Sequence, residues 1–374
     1  MIFEVTPAHI QALNDVDLRT LIGHLAEREV VAAGHSAAAV TYGGHQLAKD
    51  GGIDVRVALA SGRIKGFVPR LSTGYQAKAE DFSAAAIKSE MRPKGELRES
   101  IRDLGRSGGA YIIVSSKGSV SDSSLENRRK AMAEGIANEP DAKPIFLDFY
   151  DKRRLATWTN QHPGIIPWVR ERVGQPLSGW RPFQDWSSSP ENEDGQYLLD
   201  EGVRLVDPHQ TGDGLTAEEG INRLRSILSE PKGVVRLVGL SGVGKTRLVQ
   251  ALFDDRVGAA PLDRHLAVYT DMGDNPDPVP GELLSRLQSN GQRCIFIVDN
   301  CGIELHRNLA TRLSASNLIS LITVEYDISD DDVENTDVFM LEPASKDVIE
   351  RILNLRHPTL TNPEIRTIAD FSEG

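Results

Sequence analysis

One eight-residue segment combines glycines with a lysine and a threonine: Gly239, Leu240, Ser241, Gly242, Val243, Gly244, Lys245 and Thr246. An apolar run typical of a strand precedes it at 234–238, and apolar residues recur at helical spacing over 247–253. A glycine-rich loop between a strand and a helix lets backbone N–H groups converge on phosphate oxygens. In this pattern the lysine meets the β- and γ-phosphates, and the threonine hydroxyl binds Mg²⁺. The segment therefore predicts a binding site for ATP or GTP.

An acid that ends a second apolar run offers a partner for Thr246. The run at 293–298 is typical of a buried parallel strand, and Asp299 and Asn300 follow it directly. An aspartate in this position, known as Walker B, holds Mg²⁺ directly or through water opposite the threonine. We therefore expect Thr246 and Asp299 to be the two Mg²⁺ ligands of the nucleotide site.

A further predicted strand at 318–324 brings more polar residues to the same end of the sheet. Its position places Thr323 and Glu325 near the γ-phosphate. Asn300 stands where an acid often positions the attacking water, and an amide cannot act as that base. We therefore expect nucleotide binding with slow hydrolysis.

The N-terminal half has a second set of polar residues on predicted strands. Asp54 precedes an alternating run at 55–59, and Gln76 and Lys78 are two residues apart in a run at 74–79. Alternate residues of a strand point to the same face, so pairing of the two strands brings these three side chains together.

A predicted amphipathic helix at 16–33 carries an acid on its apolar face. The apolar stripe consists of Leu18, Leu21, Ile22 and Leu25. Glu29 follows Leu25 by four residues, so it is either a helix-end residue that turns to solvent or a carboxylate directed into the site. Glu27 remains the alternative, because the periodicity does not define the helix register to one residue.

This combination resembles the PD-(D/E)XK nuclease superfamily, and within it the Mrr-like restriction endonucleases, whose third motif is often Q-x-K. The resemblance implies that Asp54 is a metal ligand and that Gln76 supplies a second oxygen. It also implies that Lys78 stabilises the attacking hydroxide or the transition state, and that Glu29 is the helix acid. Mg²⁺ prefers oxygen ligands and activates water at neutral pH. The implied substrate is double-stranded DNA.

The predicted elements are of the α/β class in both halves. The N-terminal order of helix, strand pair, strand, helix and strand is compatible with a restriction-endonuclease-like core, with its later elements at 110–115, 124–136 and 144–149. The C-terminal elements predict a three-layer P-loop NTPase domain. We expect three segments: a nuclease-like domain at 1–186, a linker at 187–215 and an ATPase domain at 216–374.

Two groups of side chains have open interpretations. Six basic residues lie between 88 and 106, with acids interleaved: Lys88, Arg92, Lys94, Arg98, Arg102 and Arg106. They either contact a DNA backbone or form a solvated helix face. Four tryptophans lie between 158 and 186, and these either stack on bases or pack to cap or dock the domain.

The C-terminal half resembles the STAND-class ATPases, the signal-transduction branch of the AAA-related P-loop proteins. The resemblance rests on the glycine-rich loop, the Asp299–Asn300 strand end, the strand with Thr323 and the segment 341–344 before a helix. No arginine follows Thr323, where many relatives have one. A helical lid, a winged helix and sensor repeats normally follow in that class, so we expect the chain to be the N-terminal part of a longer protein.

A nuclease-like domain joined to a STAND ATPase resembles the antiviral STAND (Avs-type) defence proteins of prokaryotes. This resemblance implies a viral protein as trigger, ATP and Mg²⁺ as cofactors, and a homo-oligomer whose clustered nuclease domains cut DNA. One alternative is a restriction or repair enzyme that translocates on DNA, which would carry helicase motifs beyond the P-loop; none is found. The other is a signalling ATPase whose N-terminal domain binds DNA or protein without cleavage.

Composition limits the remaining classes of protein. The chain has 374 residues and a formal net charge of −12, which disfavours nucleic-acid binding by the whole surface. We find no run of about eighteen apolar residues and no signal peptide, so we expect no membrane span. The two cysteines, Cys294 and Cys301, flank an apolar run and predict core thiols in a reducing cytoplasm.

Overall fold

The computed structural model describes residues 3–42, 51–118, 121–142, 144–187, 197, 199–207, 214–313, 318–326 and 336–372. The chain divides into two compact units, Phe3–Pro176 and Leu177–Gly374. We call them the N-terminal unit and the C-terminal unit. Each contains one sheet and several helices, which confirms the predicted α/β class.

The sheet of the N-terminal unit has five strands among the described residues: β1 (Val40–Tyr42), β2 (Val55–Ala58), β3 (Ser72–Lys78), β4 (Ala110–Ser115) and β5 (Phe146–Tyr150). They lie in chain order across the sheet. β2 is antiparallel to both β1 and β3, whereas β3, β4 and β5 run parallel to one another. The predicted pairing of the strands after Asp54 and through Gln76 is therefore present.

Seven α-helices accompany this sheet in the described part of the unit: α1 (Pro7–Ala12), α2 (Asp15–Ala32), α3 (Ala84–Met91), α4 (Glu99–Arg106), α5 (Asp122–Ile136), α6 (Lys152–Asn160) and α7 (Ile166–Arg172). The Asn14 side chain accepts a hydrogen bond from the Asp17 N–H and so caps the start of α2. The predicted apolar stripe of α2 is fully buried. Helices α3, α4 and α5 pack on the sheet face that carries Tyr111 and Ile113.

The sheet of the C-terminal unit has eight strands in the described ranges: β6 (Trp180–Arg181), β7 (Val203–Val206), β8 (Leu215–Thr216), β9 (Val234–Val238), β10 (Ala267–Asp271), β11 (Cys294–Asp299), β12 (Ile319–Glu325) and β13 (Asp337–Leu341). Their order is β6-β10-β11-β12-β9-β13-β7-β8. The five central strands are parallel. Because β12 lies between β9 and β11, the loop after β9 and the acid that ends β11 flank the end of β12.

The helices of this unit within the described residues are α8 (Phe183–Ser187), α9 (Ala217–Ser229), α10 (Lys245–Ala251), α11 (Pro280–Ser289), α12 (Ile303–Leu313), α13 (Lys346–Arg356) and α14 (Asn362–Ser372). Thr216 and Glu219 form a reciprocal capping box at the start of α9. Apolar residues of β9, β11 and β12 pack with α9 and α10 in one core.

The four tryptophans are buried inside the units. Trp158 and Trp168 lie in the N-terminal unit, whereas Trp180 and Trp186 lie in the C-terminal unit. Trp186 stacks on Tyr269 with ring centroids 4.3 Å apart. Side chains packed in this way have no free face for a base, so the structure favours a packing role over base stacking.

The expected limits of the domains differ from the division into compact units. The chain passes into the C-terminal unit after Pro176, because β6 pairs with β10 and Trp186 packs in the C-terminal core. In the segment expected as a linker at 187–215, β7 pairs with β13 on one side and with β8 on the other. Residues 188–196, 198 and 208–213 of that segment lie outside the described residues.

Two expectations from composition can be compared with the structure. Both cysteines are free and buried, which confirms the prediction of core thiols. Burial raises the pKa of each thiol to about 12. None of the described helices is long and apolar enough to cross a bilayer.

Candidate functional site

The glycine-rich loop joins β9 to α10 and requires glycine at two positions. Gly239 has a φ of +147°, and a Cβ there would lie 2.6 Å from the carbonyl oxygen of Leu341. Gly244 has a φ of +97° and immediately precedes α10. A residue with a Cβ would be strained at either position. The strand, loop and helix therefore have the order that the sequence predicted.

The ammonium group of Lys245 contacts the backbone of this loop. Its Nζ donates hydrogen bonds to the carbonyl oxygens of Gly239 and Leu240, each at 2.7 Å. Burial lowers the pKa of Lys245, although the nearby carboxylates of Asp299 and Glu325 oppose that shift. A lysine bonded to carbonyl oxygens can exchange these for phosphate oxygens, which are stronger acceptors.

Thr246 and Asp299 meet beneath the loop. The Thr246 hydroxyl donates to Asp299 Oδ2 at 2.7 Å, and the Tyr269 hydroxyl donates to the same oxygen at 3.3 Å. Burial raises the pKa of Asp299, and the hydrogen bond from Thr246 offsets part of that shift. A carboxylate and a hydroxyl are hard oxygen donors, so this pair fits a Mg²⁺ ion that accompanies a nucleotide.

The side chain of Asn300 is bonded to an acid on the neighbouring strand. Its Nδ2 donates to Asp271 Oδ1 at 2.8 Å, and Asp271 pairs with Asp299 in the register of β10 and β11. Sequence reasoning did not identify Tyr269 or Asp271 as part of this site. Their place at the carboxyl end of a strand next to β11 is a signal that could have identified them.

Thr323 does not reach the nucleotide site, contrary to the expectation from its strand. Its side chain is fully buried, and its hydroxyl is 2.8 Å from Nδ1 of His306 on α12. It pairs with Arg236 in the register of β12 and β9. The prediction considered the position of Thr323 along the strand but not the face to which its side chain points. Glu325 lies at the strand end, close enough to Lys245 to affect its pKa.

In the N-terminal unit, Asp54 and Gln76 lie together as predicted. Gln76 Nε2 donates to Asp54 Oδ2 at 2.8 Å, and the Ala77 N–H donates to the same oxygen at 2.8 Å. Arg19 of α2 places its Nε 3.2 Å from Asp54 Oδ1. Because the amide nitrogen makes this hydrogen bond, Gln76 Oε1 does not take part in the contact with the acid.

Lys78 follows Gln76 on the same face of β3 and is paired with an acid of α3. Its Nζ lies 3.3 Å from Glu90 Oε2, and the other carboxylate oxygen accepts a 2.7 Å hydrogen bond from Arg98. Sequence reasoning treated Glu90 only as one of the acids among basic residues. The contact depends on how α3 packs against the sheet, and no local pattern encodes that packing.

Two buried polar atoms on this face have no hydrogen-bond partner among the described residues. They are Gln76 Oε1 and the hydroxyl of Tyr111, whose residues are 5% and 0% exposed. Tyr111 is the strand partner of Gly74, so it is a diagonal neighbour of Gln76 on β4. Unpaired oxygens of this kind are costly unless a ligand or water satisfies them. With Asp54 they offer the oxygen chemistry that fits a divalent cation.

Glu29, the expected helix acid, lies away from this cluster. Its Oε1 accepts a 2.9 Å hydrogen bond from Trp158 Nε1 and lies 3.5 Å from His162 Nε2. Arg19 contacts Asp54, and Glu29 is ten residues further along α2, roughly 15 Å at the helical rise. The alternative, Glu27, is buried with its carboxylate 3.8 Å from His24 Nδ1.

Most of the basic residues between 88 and 106 form ion pairs with acids of the same unit. These pairs include Lys88–Glu134, Arg92–Glu139, Arg98–Glu90, Arg102–Glu99 and Arg106–Glu99. Neighbouring acids therefore offset much of their charge, which favours the solvated-face interpretation over a DNA contact.

No family model matches the sequence, and no curated protein matches it. A similar solved structure is the crystal structure of a Signal Transduction ATPase with Numerous Domains (STAND) protein with a tetratricopeptide repeat sensor from Pyrococcus horikoshii. The identity is 16%, the TM-score is 0.26, and the match covers 41% of this chain and 28% of that one. The present chain thus spans less than a third of that protein, and a likeness of this size assigns no function.

Proposed function

We propose that this chain is an ATP-gated, Mg²⁺-dependent DNA endonuclease of prokaryotic antiphage defence. Nucleotide binds at the loop 239–246, and double-stranded DNA is cut beside Asp54, Gln76 and Lys78. A viral protein acts as the trigger, and assembly of several identical chains completes the nuclease. The defence role rests on the resemblance to Avs-type proteins.

The nucleotide half of this proposal is supported by the loop and the strand end beside it. Lys245 provides the charge that meets the β- and γ-phosphates, and the Thr246–Asp299 pair provides oxygen ligands for Mg²⁺. When bound, a Mg²⁺ ion held by Thr246 and Asp299 would neutralise charge on the phosphates.

The observation that carries the nuclease half is the hydrogen bond between Gln76 and Asp54, with the unpartnered Gln76 Oε1 next to it. The bond engages the amide nitrogen, so an oxygen of Gln76 without a partner lies in the same side chain that contacts the Asp54 carboxylate. Lys78, two residues along the same face, supplies a cation that can stabilise charge on an attacked phosphate. When bound, a divalent cation would activate water for attack on the phosphodiester.

Gating requires that nucleotide and trigger favour the same assembled form of the protein. A ligand shifts such an equilibrium only by its difference in affinity for the two forms. Weak preferences from ATP and from the trigger therefore combine into a switch that neither operates alone.

The test is cleavage of supercoiled plasmid with Mg²⁺, ATP and an extract of phage-infected cells. The protein is the chain with whatever residues its gene encodes after Gly374. Asp54→Ala should abolish cleavage and leave DNA binding intact, because it removes a metal ligand. Lys78→Ala should lower the rate on the order of a hundredfold or more. Lys130→Ala, an exposed lysine on α5, is the matched control and should cleave normally.

Cleavage by Asp54→Ala at the wild-type rate would place the nuclease site elsewhere.

A second candidate function is DNA or protein binding without cleavage. It is favoured by the contacts of Asp54 with Arg19 and of Lys78 with Glu90, which engage both charged groups. Wild-type protein that binds DNA but never cuts it under these conditions would support this second function.

A further inference from the structure

We propose that Glu90, rather than Glu29, supplies the second carboxylate of the metal site, together with Asp54 and the amide oxygen of Gln76. The inference deepens the proposed nuclease and rests on it. The ligand is a divalent cation that prefers oxygen donors, such as Mg²⁺ or Mn²⁺.

The first argument is the position of Glu90. It lies near the end of α3, and its carboxylate reaches β3, where Oε2 is 3.3 Å from Lys78 Nζ. Lys78 is two residues from Gln76 on the same face, and Gln76 is bonded to Asp54. The chain of contacts from Asp54 to Gln76, Lys78 and Glu90 therefore runs along one face of the sheet.

The second argument is the pair of unsatisfied oxygens on this face. Gln76 Oε1 and the Tyr111 hydroxyl are buried and have no partner in the described ranges. Burial raises the pKa of Tyr111 most. The negative charges of Glu90 and Asp54 raise this pKa further, whereas the positive charge of Arg98 lowers it. Tyr111 thus lies within electrostatic reach of both carboxylates. An ion held between Asp54 and Glu90 would give Gln76 Oε1 the partner it lacks.

The third argument is the balance of charge. Three cations, Arg19, Lys78 and Arg98, contact two carboxylates, Asp54 and Glu90. A divalent cation bound here would compete with these ion pairs, and two carboxylates offset its charge better than Asp54 alone. Release of Lys78 from Glu90 would leave its ammonium group available to interact with a phosphate.

Glu29 does not fit this role, because it belongs to the other side of the sheet. It is bonded to Trp158, whose ring lies 6.1 Å from that of Tyr75. Tyr75 precedes Gln76 in β3 and points to the opposite face. Glu29 therefore packs with residues of the face opposite to the one that carries Gln76.

The inference is tested by Mn²⁺ binding to nucleotide-free protein, measured by calorimetry and by electron paramagnetic resonance. Every protein carries Asp299→Asn, which removes the acid of the nucleotide site from the count of Mn²⁺ ligands. Asp54→Asn and Glu90→Gln should each weaken Mn²⁺ binding tenfold or more. Glu134→Gln on α5, an acid also paired with a lysine, is the matched control and should bind normally. Glu29→Gln should bind Mn²⁺ as the parent does.

Circular dichroism checks that each variant is folded. If Glu90→Gln does not fold, Glu90→Asp is measured in its place. This shorter acid should also weaken Mn²⁺ binding, because its carboxylate sits one methylene further from the site. Normal binding by a folded Glu90 variant, with loss in Asp54→Asn, would overturn this inference and leave the nuclease proposal standing. Normal binding by Asp54→Asn would overturn both.

Discussion

Asp299 must act as a charged ligand in a place where burial favours its neutral form. Its pKa is raised above 3.8 chiefly by burial, and the hydrogen bonds from Thr246 and Asn300 offset only part of the shift. The folded chain therefore binds a proton at Asp299 more tightly than the unfolded chain does. Stability consequently falls as the pH rises from 3.8 through the raised pKa, and at neutral pH the charged side chain is destabilising.

Replacing this acid should therefore stabilise the chain while removing its function. Asp299→Asn should raise the thermal midpoint of the nucleotide-free protein at pH 7, because the neutral amide removes a buried charge. Mg²⁺ with ATP should no longer add stability. Thermal unfolding with and without Mg²⁺·ATP measures both effects, with the exposed Asp255→Asn as control. A lower midpoint, or an undiminished response to Mg²⁺·ATP, would contradict this account of Asp299.

Single residues also show where prediction from sequence succeeds. The strand and helix flanking 239–246 and the acid Asp299 follow from local pattern, and the structure has these elements in the expected order. Glu29 was misplaced because an apolar stripe indicates which face of a helix is buried but not which sheet face its end meets. Glu90 and Tyr111 became visible only through the packing of α3 and the register of β4.

At the scale of elements, the face to which a strand residue points decides its role. The register of β12 with β9 places Thr323 beside Arg236, and α12 covers both. The strand was predicted to within about a residue at each end, yet the role of Thr323 was not. In a parallel strand that is buried on both faces, apolar and polar residues do not alternate. The sequence of such a strand therefore does not indicate which face each side chain occupies.

Helix α12 contributes a buried histidine to this layer, and it makes the stability of the C-terminal unit sensitive to acid. Burial, then the charges of Arg236 and Arg307, lowers the pKa of His306 to about 4 from 6.5. Between pH 6.5 and about pH 4, His306 is therefore protonated in the unfolded chain and neutral in the folded chain. Stability present above pH 6.5 should be lost as the pH falls towards 4, on the order of 3 kcal/mol.

Urea unfolding at pH 7 and pH 4.5 measures this loss in wild type and in His306→Gln. The difference between the two pH values should shrink by about 2–3 kcal/mol in the variant. The exposed His357→Gln is the control and should behave as wild type. An unchanged pH dependence in His306→Gln would show that other groups titrate in this window.

The polar residues at the ends of β10 and β11 determine the rate of ATP hydrolysis that we expect. Asn300 occupies the position after Asp299 and donates to Asp271, so an amide rather than a base lies there. We expect the chain with saturating ATP to hydrolyse well below about ten per second, a typical enzyme rate. A phosphate-release assay measures it. Turnover near ten per second would contradict this, and Asp271→Asn and Glu325→Gln would then identify which carboxylate acts as the base.

At the scale of the whole molecule, the two compact units have separate cores and separate candidate sites. The α/β class of both was predictable from the alternation of apolar runs and helical periodicity. The division after Pro176 was not, because β6 and Trp186 join the C-terminal core through contacts distant in sequence. Composition marked 187–215 as polar but did not reveal the short strand β7.

The most direct measurement for the proposed function is the ATP dependence of plasmid cleavage at fixed Mg²⁺, in the presence of the trigger-containing extract. Lys245→Ala should remove ATP binding, because it deletes the charge that meets the β- and γ-phosphates, and calorimetry verifies this loss. Wild-type protein should then cleave DNA only when ATP is added, whereas Lys245→Ala should not cleave at any ATP concentration. Cleavage by Lys245→Ala at the wild-type rate, or wild-type cleavage that is indifferent to ATP, would contradict the proposal that nucleotide gates the nuclease.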